Sequence, residues 1–428
     1  MPSPHPSAPS RPPLASVVPF HRRRERGAVL VQMAISMLGL IAFSSLVIDY
    51  GVLWAARRQA QNAADAGAMA AAVSLGYVDF DNRPLAQTAA VNTARANFIW
   101  GAVPDITTAD VTFPPCPPGS PVASTNACVR VDVYRNQRAG GNPLPTIFGR
   151  LIGVADQGVR ATATAQVLFG DSSDCVKPWA IPDKWEEHRP VASAWDPTDE
   201  FNRYDSNSGA LLVPADFYEK PGTGATNNGA GTGFTRESIG LGGSDYGLEI
   251  TLKEGSSHDA IAPGWFYPIV VCGGCSGAAD YRRSIAECTS PVFGPGNALT
   301  KEPGNMQGPT KQGAQDLIDL DPGADWDPSA NGGKGGIVGG CQAASVNPCE
   351  KSPRLVAVPI FDVDAYDAGK ASGRRDIIIV KILGFFVDRI ESNDVVGYLM
   401  YYPGPPRISA TSANVQAASF VVSLALVR

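Results

Sequence analysis

The chain has 428 residues, enough for roughly two or three domains, and its 44% hydrophobic content excludes wholesale disorder. Its formal net charge is −6, although the first 26 residues are basic. The acidic remainder argues against nucleic acid as a partner, because binding phosphates requires a basic surface.

The first 48 residues predict a membrane anchor. Residues 1–26 read as a disordered cytoplasmic leader that ends in four arginines, Arg22, Arg23, Arg24 and Arg26. Residues 27–48 contain an uncharged apolar run, Ala28–Ile48, whose helix would be about 30 Å long, the thickness of a bilayer's hydrocarbon core. Basic clusters stay in the cytoplasm, so we expect a single-pass membrane protein in which everything after Asp49 lies outside the cytoplasm.

Two other interpretations of this apolar run fit less well. A buried helix of a soluble protein would not have four arginines next to a run of this length. A cleaved secretory signal would have a shorter apolar core and a small-residue cleavage site soon after it. We therefore expect an uncleaved signal-anchor.

The predicted helix continues beyond the membrane. Asp49–Leu75 is rich in alanine and other strong helix formers and contains no proline. Small or apolar side chains recur at spacings of three and four and form a narrow seam, consisting of Val52, Ala56, Ala60, Ala63, Ala66 and Ala70. This seam would face either the core of its own domain or a partner helix in an assembly.

The stretch Glu25–Ala72 resembles the N-terminal Tad domain of the TadG-like proteins of Tad/Flp pilus assembly. The matching residues are a glycine after arginine, an Asp-x-Gly after the apolar run, and a Q-N-A-A-D-A helix: Gly27, Asp49, Gly51, Gln61, Asn62 and Asp65. Gly67 and Met69 stand where alanine and leucine are commoner in the family. The resemblance implies a bacterial inner-membrane protein with its bulk in the periplasm and a role in assembling Tad-type pili, and it assigns no catalytic residue.

Shorter stretches farther along also resemble long members of this group, namely Pro178–Trp185, Pro263–Ile269, Glu302–Gly313 and Ile382–Val387. Related pilins are cut after a glycine by a prepilin peptidase and carry glutamate at the fifth mature position. Counting from Ala28, that position is Gln32. Neutral glutamine cannot pair with a free amine as a carboxylate does, so we expect this chain to stay unprocessed.

Residues 49–170 predict a pilin-like α/β domain, in which a long helix lies against an antiparallel sheet. Residues 84–100 favour a second helix with proline in its first turn, and Thr146–Gly153 also favours a helical segment. Alternating apolar and polar residues predict three strands, Asp110–Phe113, Cys128–Arg135 and Gly158–Phe169.

Residues 171–428 predict a mostly β extracytoplasmic domain, so the fold class is α+β. Clusters of glycine, proline and asparagine separate its short apolar runs, which are Gly209–Val213, Tyr246–Leu252, Trp265–Val271, Leu355–Phe361, Asp376–Val387, Val395–Tyr402 and Asn414–Leu426. Asp376–Val387 is too short to cross a membrane and contains Lys381, so it predicts a central strand. Residues 221–245, rich in glycine, threonine and asparagine, predict a flexible loop.

The even number of cysteines predicts disulfides if the chain is exported. The eight are Cys116, Cys128, Cys175, Cys272, Cys275, Cys288, Cys341 and Cys349. Cys116 and Cys128 flank a loop between two predicted strands, which favours a bond between them. Cys341 and Cys349 are expected to close a small loop.

The C-x-x-C pair has several interpretations. Cys272 and Cys275 could form a redox pair or half of a zinc site, but no second C-x-x-C or histidine pair lies at zinc spacing. A structural disulfide is favoured, and Cys175 and Cys288 are alternative partners. The connectivity stays open.

Two acidic motifs fall short of metal sites. Asp362–Gly369 resembles part of a calcium loop, but Tyr366 and Gly373 stand where an EF-hand needs oxygen ligands. Many TadG-like proteins carry a von Willebrand type A domain with a D-x-S-x-S metal site. Asp205–Gly209 comes close to this pattern and fails at both serine positions. We therefore expect no metal and no cofactor.

The favoured interpretation is a non-enzymatic, membrane-anchored component of pilus assembly. Its partners would be the lipid bilayer and minor pilins or other assembly proteins. The alternative is a surface adhesin or ligand-binding protein on the same anchor. An envelope hydrolase would need His188 or His258 beside a nucleophile or acid in a cleft, and no G-x-S-x-G, H-E-x-x-H or P-loop motif occurs.

Overall fold

The computed structural model describes residues 26–78, 82–116, 128–222, 226–255, 260–341, 352–373, 375–404 and 420–427. The α-helices in this part of the chain are α1 (Arg26–Val73), α2 (Arg83–Ala96), α3 (Arg236–Ile239), α4 (Ala278–Ala286), α5 (Gln307–Asp319), α6 (Ala330–Gly333) and α7 (Val363–Ala368).

The strands up to the start of the second half are β1 (Val111–Thr112), β2 (Cys128–Arg135), β3 (Leu144–Pro145), β4 (Asp156–Gln157), β5 (Val159–Gly170), β6 (Trp179–Pro182), β7 (Glu249–Glu254) and β8 (Trp265–Pro268). The later ones are β9 (Ala298–Leu299), β10 (Asp325–Asp327), β11 (Gly336–Val338), β12 (Leu355–Phe361), β13 (Ile377–Glu391), β14 (Asp394–Met400), β15 (Tyr402–Pro403) and β16 (Val421–Val427).

The C-terminal half of α1 packs on a five-stranded sheet in the order β1-β2-β5-β16-β15, and α2 packs against α1. The strand predicted at Cys128–Arg135 is confirmed, and its alternate residues are buried as the period of two requires. The predicted second helix is also confirmed as α2, and the side chain of Asn82 caps its N-terminus by accepting a hydrogen bond from the Leu85 N–H.

Alanine lets α1 approach the sheet and α2 closely. The side chains at the contact are fully buried: Ala56, Ala60, Ala63, Ala64, Ala68, Ala71 and Ala72. Gly67 lies under α2, where an added Cβ would be 3.1 Å from the carbonyl oxygen of Ala90 and 3.2 Å from the Cβ of Ala94. The predicted seam thus faces the core of its own domain, although its last two members, Ala66 and Ala70, are only half-buried.

The last strand of the chain completes the first sheet. β16 pairs antiparallel with β5, from Val421 opposite Gly170 to Val427 opposite Thr164. The strand predicted at Asn414–Leu426 is therefore observed from Val421 onward, and residues 414–419 lie outside the described residues. The domain boundary at residue 170 stays a prediction, but the segments on either side of it share a sheet.

Six strands of the later region close into a β-barrel in the order β12-β6-β8-β7-β14-β13, and β13 pairs with β12 to complete the ring. The β12–β6 and β7–β8 pairs are parallel, and the other pairs in the ring are antiparallel. β12 is buried at every position, which explains why its sequence is apolar without alternation. The predicted mostly β character is confirmed for this region.

A buried ion pair links β13 to the end of β6. Lys381 Nζ donates a hydrogen bond to Asp183 Oδ2 at 2.6 Å, and both side chains are fully buried. Asp183 also accepts hydrogen bonds from the Tyr218 hydroxyl and the Phe234 N–H, both at 3.0 Å. Burial lowers the pKa of Lys381, and the Asp183 carboxylate opposes this shift. The pairing explains how a lysine is accommodated in a central strand.

The sequence did not indicate α4 and α5, which pack against each other. Arg282 on α4 donates two hydrogen bonds to the Asp316 carboxylate on α5, at 2.6 and 2.8 Å. The glycines of α5 hide its helical character in the sequence. One of them, Gly313, is needed for packing, because a Cβ there would be 2.7 Å from Cδ1 of Ile285.

Three other predictions were wrong in part. Gly209–Val213 forms only an isolated bridge between Tyr204 and Leu211. Its apolar side chains Leu211 and Val213 are exposed and are not packed into a core as those of a predicted half-buried strand would be. The 221–245 segment is not simply a flexible loop, since it contains α3 and buries Phe234. Within Thr146–Gly153 only Gly149–Ile152 is helical, as a single 3-10 turn.

Three disulfides join described cysteines, namely Cys116–Cys128, Cys175–Cys288 and Cys272–Cys275. The C-x-x-C pair is thus closed on itself. Cys341 is also disulfide-bonded, and Cys349 lies outside the described residues. The Cys175–Cys288 bond closes a loop of 113 residues, a length at which cross-linking strongly restricts the unfolded chain.

Two glycines of α1 give a matched test of the helix packing. A Cβ at Gly51 would meet nothing within 4 Å, so Gly51→Ala is expected to stabilise the helix by about 1 kcal/mol. Gly67→Ala is expected to destabilise the chain by up to about 2 kcal/mol, because the methyl group must displace α2. Thermal unfolding in detergent micelles, followed by circular dichroism, measures both. Equal stabilisation by the two variants would contradict the close approach of α2.

The buried ion pair generates a second prediction. Lys381→Met is expected to lower the free energy of unfolding by about 3–5 kcal/mol, because Asp183 would stay buried without its partner charge. Arg283→Met is the control, since it removes an exposed pair with Asp280 and should cost about 1 kcal/mol or less. Denaturant titration of both variants measures the difference, and similar losses would argue against the pair.

Candidate membrane-anchoring junction

α1 is one continuous helix whose surroundings change near Asp49. Before Asp49 its large apolar side chains, including Leu30, Leu40 and Phe43, are exposed, whereas from Ala56 onward one face is buried in the fold. The helix is long and apolar enough to cross a membrane by length and composition, with a mean hydropathy of 2.1 in its apolar window. An exposed apolar surface of this extent is typical of a segment that lipid or a partner covers.

Asp49 binds a loop that lies about a hundred residues farther along the chain. Its Oδ1 accepts a hydrogen bond from the Ile147 N–H at 2.7 Å, and its Oδ2 accepts from the N–H groups of Phe148 at 3.2 Å and Gly149 at 2.7 Å. The Gln157 side-chain amide donates to the Asp49 carbonyl oxygen at 3.2 Å. The carboxylate therefore caps the start of the 3-10 turn Gly149–Ile152, whose first N–H, that of Gly149, has no acceptor within the turn.

These donors set the charge state of Asp49. The Ile147 N–H, followed by those of Gly149 and Phe148, lowers the pKa of the Asp49 carboxyl, against an opposing effect of desolvation. A carboxyl with a lowered pKa in the folded state contributes stability above its unfolded pKa, and this contribution is lost as the pH falls through the folded value. The contact between Asp49 and the loop is therefore fully formed at neutral pH.

Gln61 and Asp65 lie one to two turns beyond the buried start of the helix and face β5. The Gln61 side-chain amide donates to Asp65 Oδ1 at 2.8 Å and to the Thr162 carbonyl oxygen at 3.2 Å. Thr162 lies on β5, two residues before Thr164, which pairs with Val427 of β16. The Tad-like glutamine thus binds a backbone group of the central strand of the sheet.

The other members of the motif have no packing role in the described chain. Gly27, Gly51 and Asn62 are exposed, and a Cβ at either glycine would meet nothing within 4 Å. Arg26 is the first residue of α1, and the remaining predicted topology residues, Arg22, Arg23 and Arg24, lie outside the described residues.

Two aromatic residues flank the junction. Tyr50 and Trp54 are 57% and 50% exposed, and the Arg58 guanidinium lies 5.5 Å from the centre of the Trp54 ring. Tyrosine and tryptophan are enriched where a membrane-spanning helix meets water, because their rings are apolar and their tips are polar.

The carboxylates of the two acidic motifs, Asp362–Gly369 and Asp205–Gly209, make hydrogen bonds and ion pairs within the fold. Asp362 caps α7 through the Ala365 N–H, Asp364 pairs with Arg203, and Asp367 accepts from the Arg203 N–H. Burial raises the pKa of Asp362. Asp205 accepts from Ser208 within a turn. Among the described residues no group of three or more His, Cys, Asp or Glu side chains could hold a metal ion.

His188 lies in a shallow depression beside Trp185 and Ser193, with its Nε2 at 3.9 Å from the Glu186 carboxylate. The backbone N–H of His188 donates a hydrogen bond to the Asp216 carboxylate. His258 lies outside the described residues. That the chain is not an enzyme stays a prediction.

Sequence reasoning identified Asp49 as a motif residue but missed its partners. Ile147–Gly149 carry no signal that links them to Asp49, because they donate through backbone N–H groups that every sequence has. Gln157 carries none either, because its side-chain amide binds the backbone carbonyl oxygen of Asp49, which every residue has. Only the fold brings this loop to the helix.

Residues 27–74 match the Tad family (TadE/G-like, Flp pilus assembly). The matched segment coincides with α1 and contains Asp49, Gln61 and Asp65. The resemblance of this segment to an N-terminal Tad domain is thereby confirmed. No curated protein and no solved structure matches the chain.

Removing the Asp49 carboxylate should free the loop. In Asp49→Ala, the amides of Ile147 and Gly149 are expected to exchange with deuterium faster, because they lose their acceptor. Hydrogen exchange of the full chain in micelles, read on peptides covering residues 146–150, measures this change. Asp156→Ala is the control, since that carboxylate accepts only from the Gln137 side chain among the described contacts. Unchanged exchange in Asp49→Ala would rule out the cap.

Proposed function

We propose that this chain, whose N-terminal segment is a Tad domain, is a non-enzymatic, membrane-anchored component of Tad/Flp-type pilus assembly. It acts through protein contacts outside the inner membrane, with minor pilins or other assembly proteins as partners. The observation that carries the proposal is the match of residues 27–74 to the Tad family over the helix that joins the exposed apolar segment to the folded body.

The arginine cluster and the disulfides support an orientation with the body outside the cytoplasm. Four arginines, Arg22, Arg23, Arg24 and Arg26, precede the apolar run, and basic residues are retained on the cytoplasmic side of a membrane. The body contains three disulfides between described cysteines, and such bonds persist in oxidising compartments such as the periplasm.

We also propose that α1, α2 and the sheet that contains β2, β5 and β16 act as a pilin-like unit. The support is a long helix laid lengthwise on a mainly antiparallel sheet, with its other end free for the membrane. In such a unit the exposed flank of α1 is a surface available to assembly partners.

Deleting the gene is expected to abolish pili on the cells that produce this protein, because a scaffold is needed for assembly itself. Electron microscopy of the cell surface measures the loss, and the full chain supplied on a plasmid should restore pili. The His188→Ala chain is a matched control that should restore pili equally, since the proposal requires no chemistry from this side chain. Intact pili with weakened attachment would instead support the adhesin.

A further inference from the structure

We propose that the loop formed by residues 146–154, here called the junction loop, is a second membrane contact that rests on the outer surface of the bilayer beside α1. The inference rests on the proposed anchoring of the chain by residues 27–48. It adds a contact made by the folded body, which the anchor helix alone does not require.

The position of the junction loop along α1 is fixed by Asp49. This residue directly follows the apolar run, whose length as a helix is about 30 Å. Because Asp49 binds the N–H groups of Ile147 and Gly149 at 2.7 Å, the loop backbone lies at the level where the hydrocarbon core ends. Tyr50 and Trp54, on the next turns of the helix, are the aromatic pair expected at that level.

The junction loop exposes apolar side chains at this level. Ile147 is 58% exposed and Val154 is 47% exposed. Water offers such side chains no favourable contact, whereas the boundary between headgroups and acyl chains does. Arg150 on the same loop is exposed, as are Arg57 and Arg58 on α1, and guanidinium groups pair well with lipid phosphates.

The loop is held in shape before it meets any membrane. The Thr146 hydroxyl donates to the Val154 carbonyl oxygen, and the Val154 N–H donates to the Gly149 carbonyl oxygen at 2.9 Å. Gln157 fixes the far end of the loop to the Asp49 carbonyl oxygen. Its apolar side chains therefore pack against lipid without a further loss of backbone freedom.

This arrangement fits a bilayer better than a protein groove. Ile147 on the loop and Tyr50 on α1 are exposed beside Asp49, where the apolar run ends, and Arg150 is exposed on the same loop. A lipid surface meets all of these groups at once, because it surrounds the helix. Two contacts of the same body with one surface would also restrict its tilt.

The test uses the full chain in vesicles of phosphatidylethanolamine and phosphatidylglycerol, with and without brominated acyl chains. An environment-sensitive fluorescent amino acid is placed at residue 147, at residue 43 within the apolar helix, or at residue 213, where Val213 is 89% exposed on the barrel side of the chain. We expect bromine to quench the probe at residues 43 and 147 and to leave residue 213 unchanged.

The outcomes separate the two proposals. Quenching at residue 43 with none at residue 147 would overturn the loop contact and leave the anchor standing, as would be expected if a pilus protein covers the loop instead. Absence of quenching at residue 43 would overturn the anchor and the loop contact together. Adding Asp49→Ala to the residue 147 probe should reduce its quenching while residue 43 stays quenched, because the loop would no longer be held at the membrane.

Discussion

A single unbroken helix in two different environments is the constraint on which the rest of this structure depends. α1 has 48 residues and is therefore about 70 Å long. Its first half carries large exposed apolar side chains, and its second half carries small ones that allow a sheet and a second helix to approach closely. The exposed apolar surface of the helix ends, and the buried small-residue surface begins, at Asp49–Val52. Because the helix does not break, these residues fix the height of the folded body above the proposed membrane.

The return of the chain to the first sheet extends this constraint to the barrel. β16 pairs with β5 under α1, and the Tyr77 hydroxyl at the end of the helix donates to the Val422 carbonyl oxygen at 3.3 Å. The Leu241 N–H donates to the Tyr77 carbonyl oxygen at 2.7 Å. One hydrophobic cluster includes residues of α1, the first sheet and the barrel. The described body is therefore joined to the anchor by packing as well as by the chain, and forces on one are transmitted to the other.

Lys381 shows how the interior accommodates a charged residue within an otherwise apolar strand. A lysine in an apolar strand is tolerated because it pairs with the Asp183 carboxylate, on which the Tyr218 hydroxyl and the Phe234 N–H also converge from distant parts of the chain. Asp362, Asp364 and Asp367 are likewise held by a helix N-terminus and by Arg203. In both arrangements polar side chains make contacts within the fold.

Patterns within a few neighbouring residues were sufficient to identify several helices and strands from the sequence. The length and lack of charge of the apolar run identify the first part of α1, and the alanine content of the following residues predicts that the helix continues. Alternation of apolar and polar residues identifies β2 and most of β5. Each of these patterns depends on neighbours within a few residues. The Tad motif could also be recognised in the sequence, because its residues lie close together in one helix. Only the tertiary structure decided which backbone Asp49 caps, that β16 joins the first sheet and that six strands close a barrel. The contacts of Asp49, the pairs between β16 and β5, and the β12–β6 pair of the barrel join residues about a hundred or more positions apart. Backbone hydrogen bonds also leave no signal in the pattern of side chains.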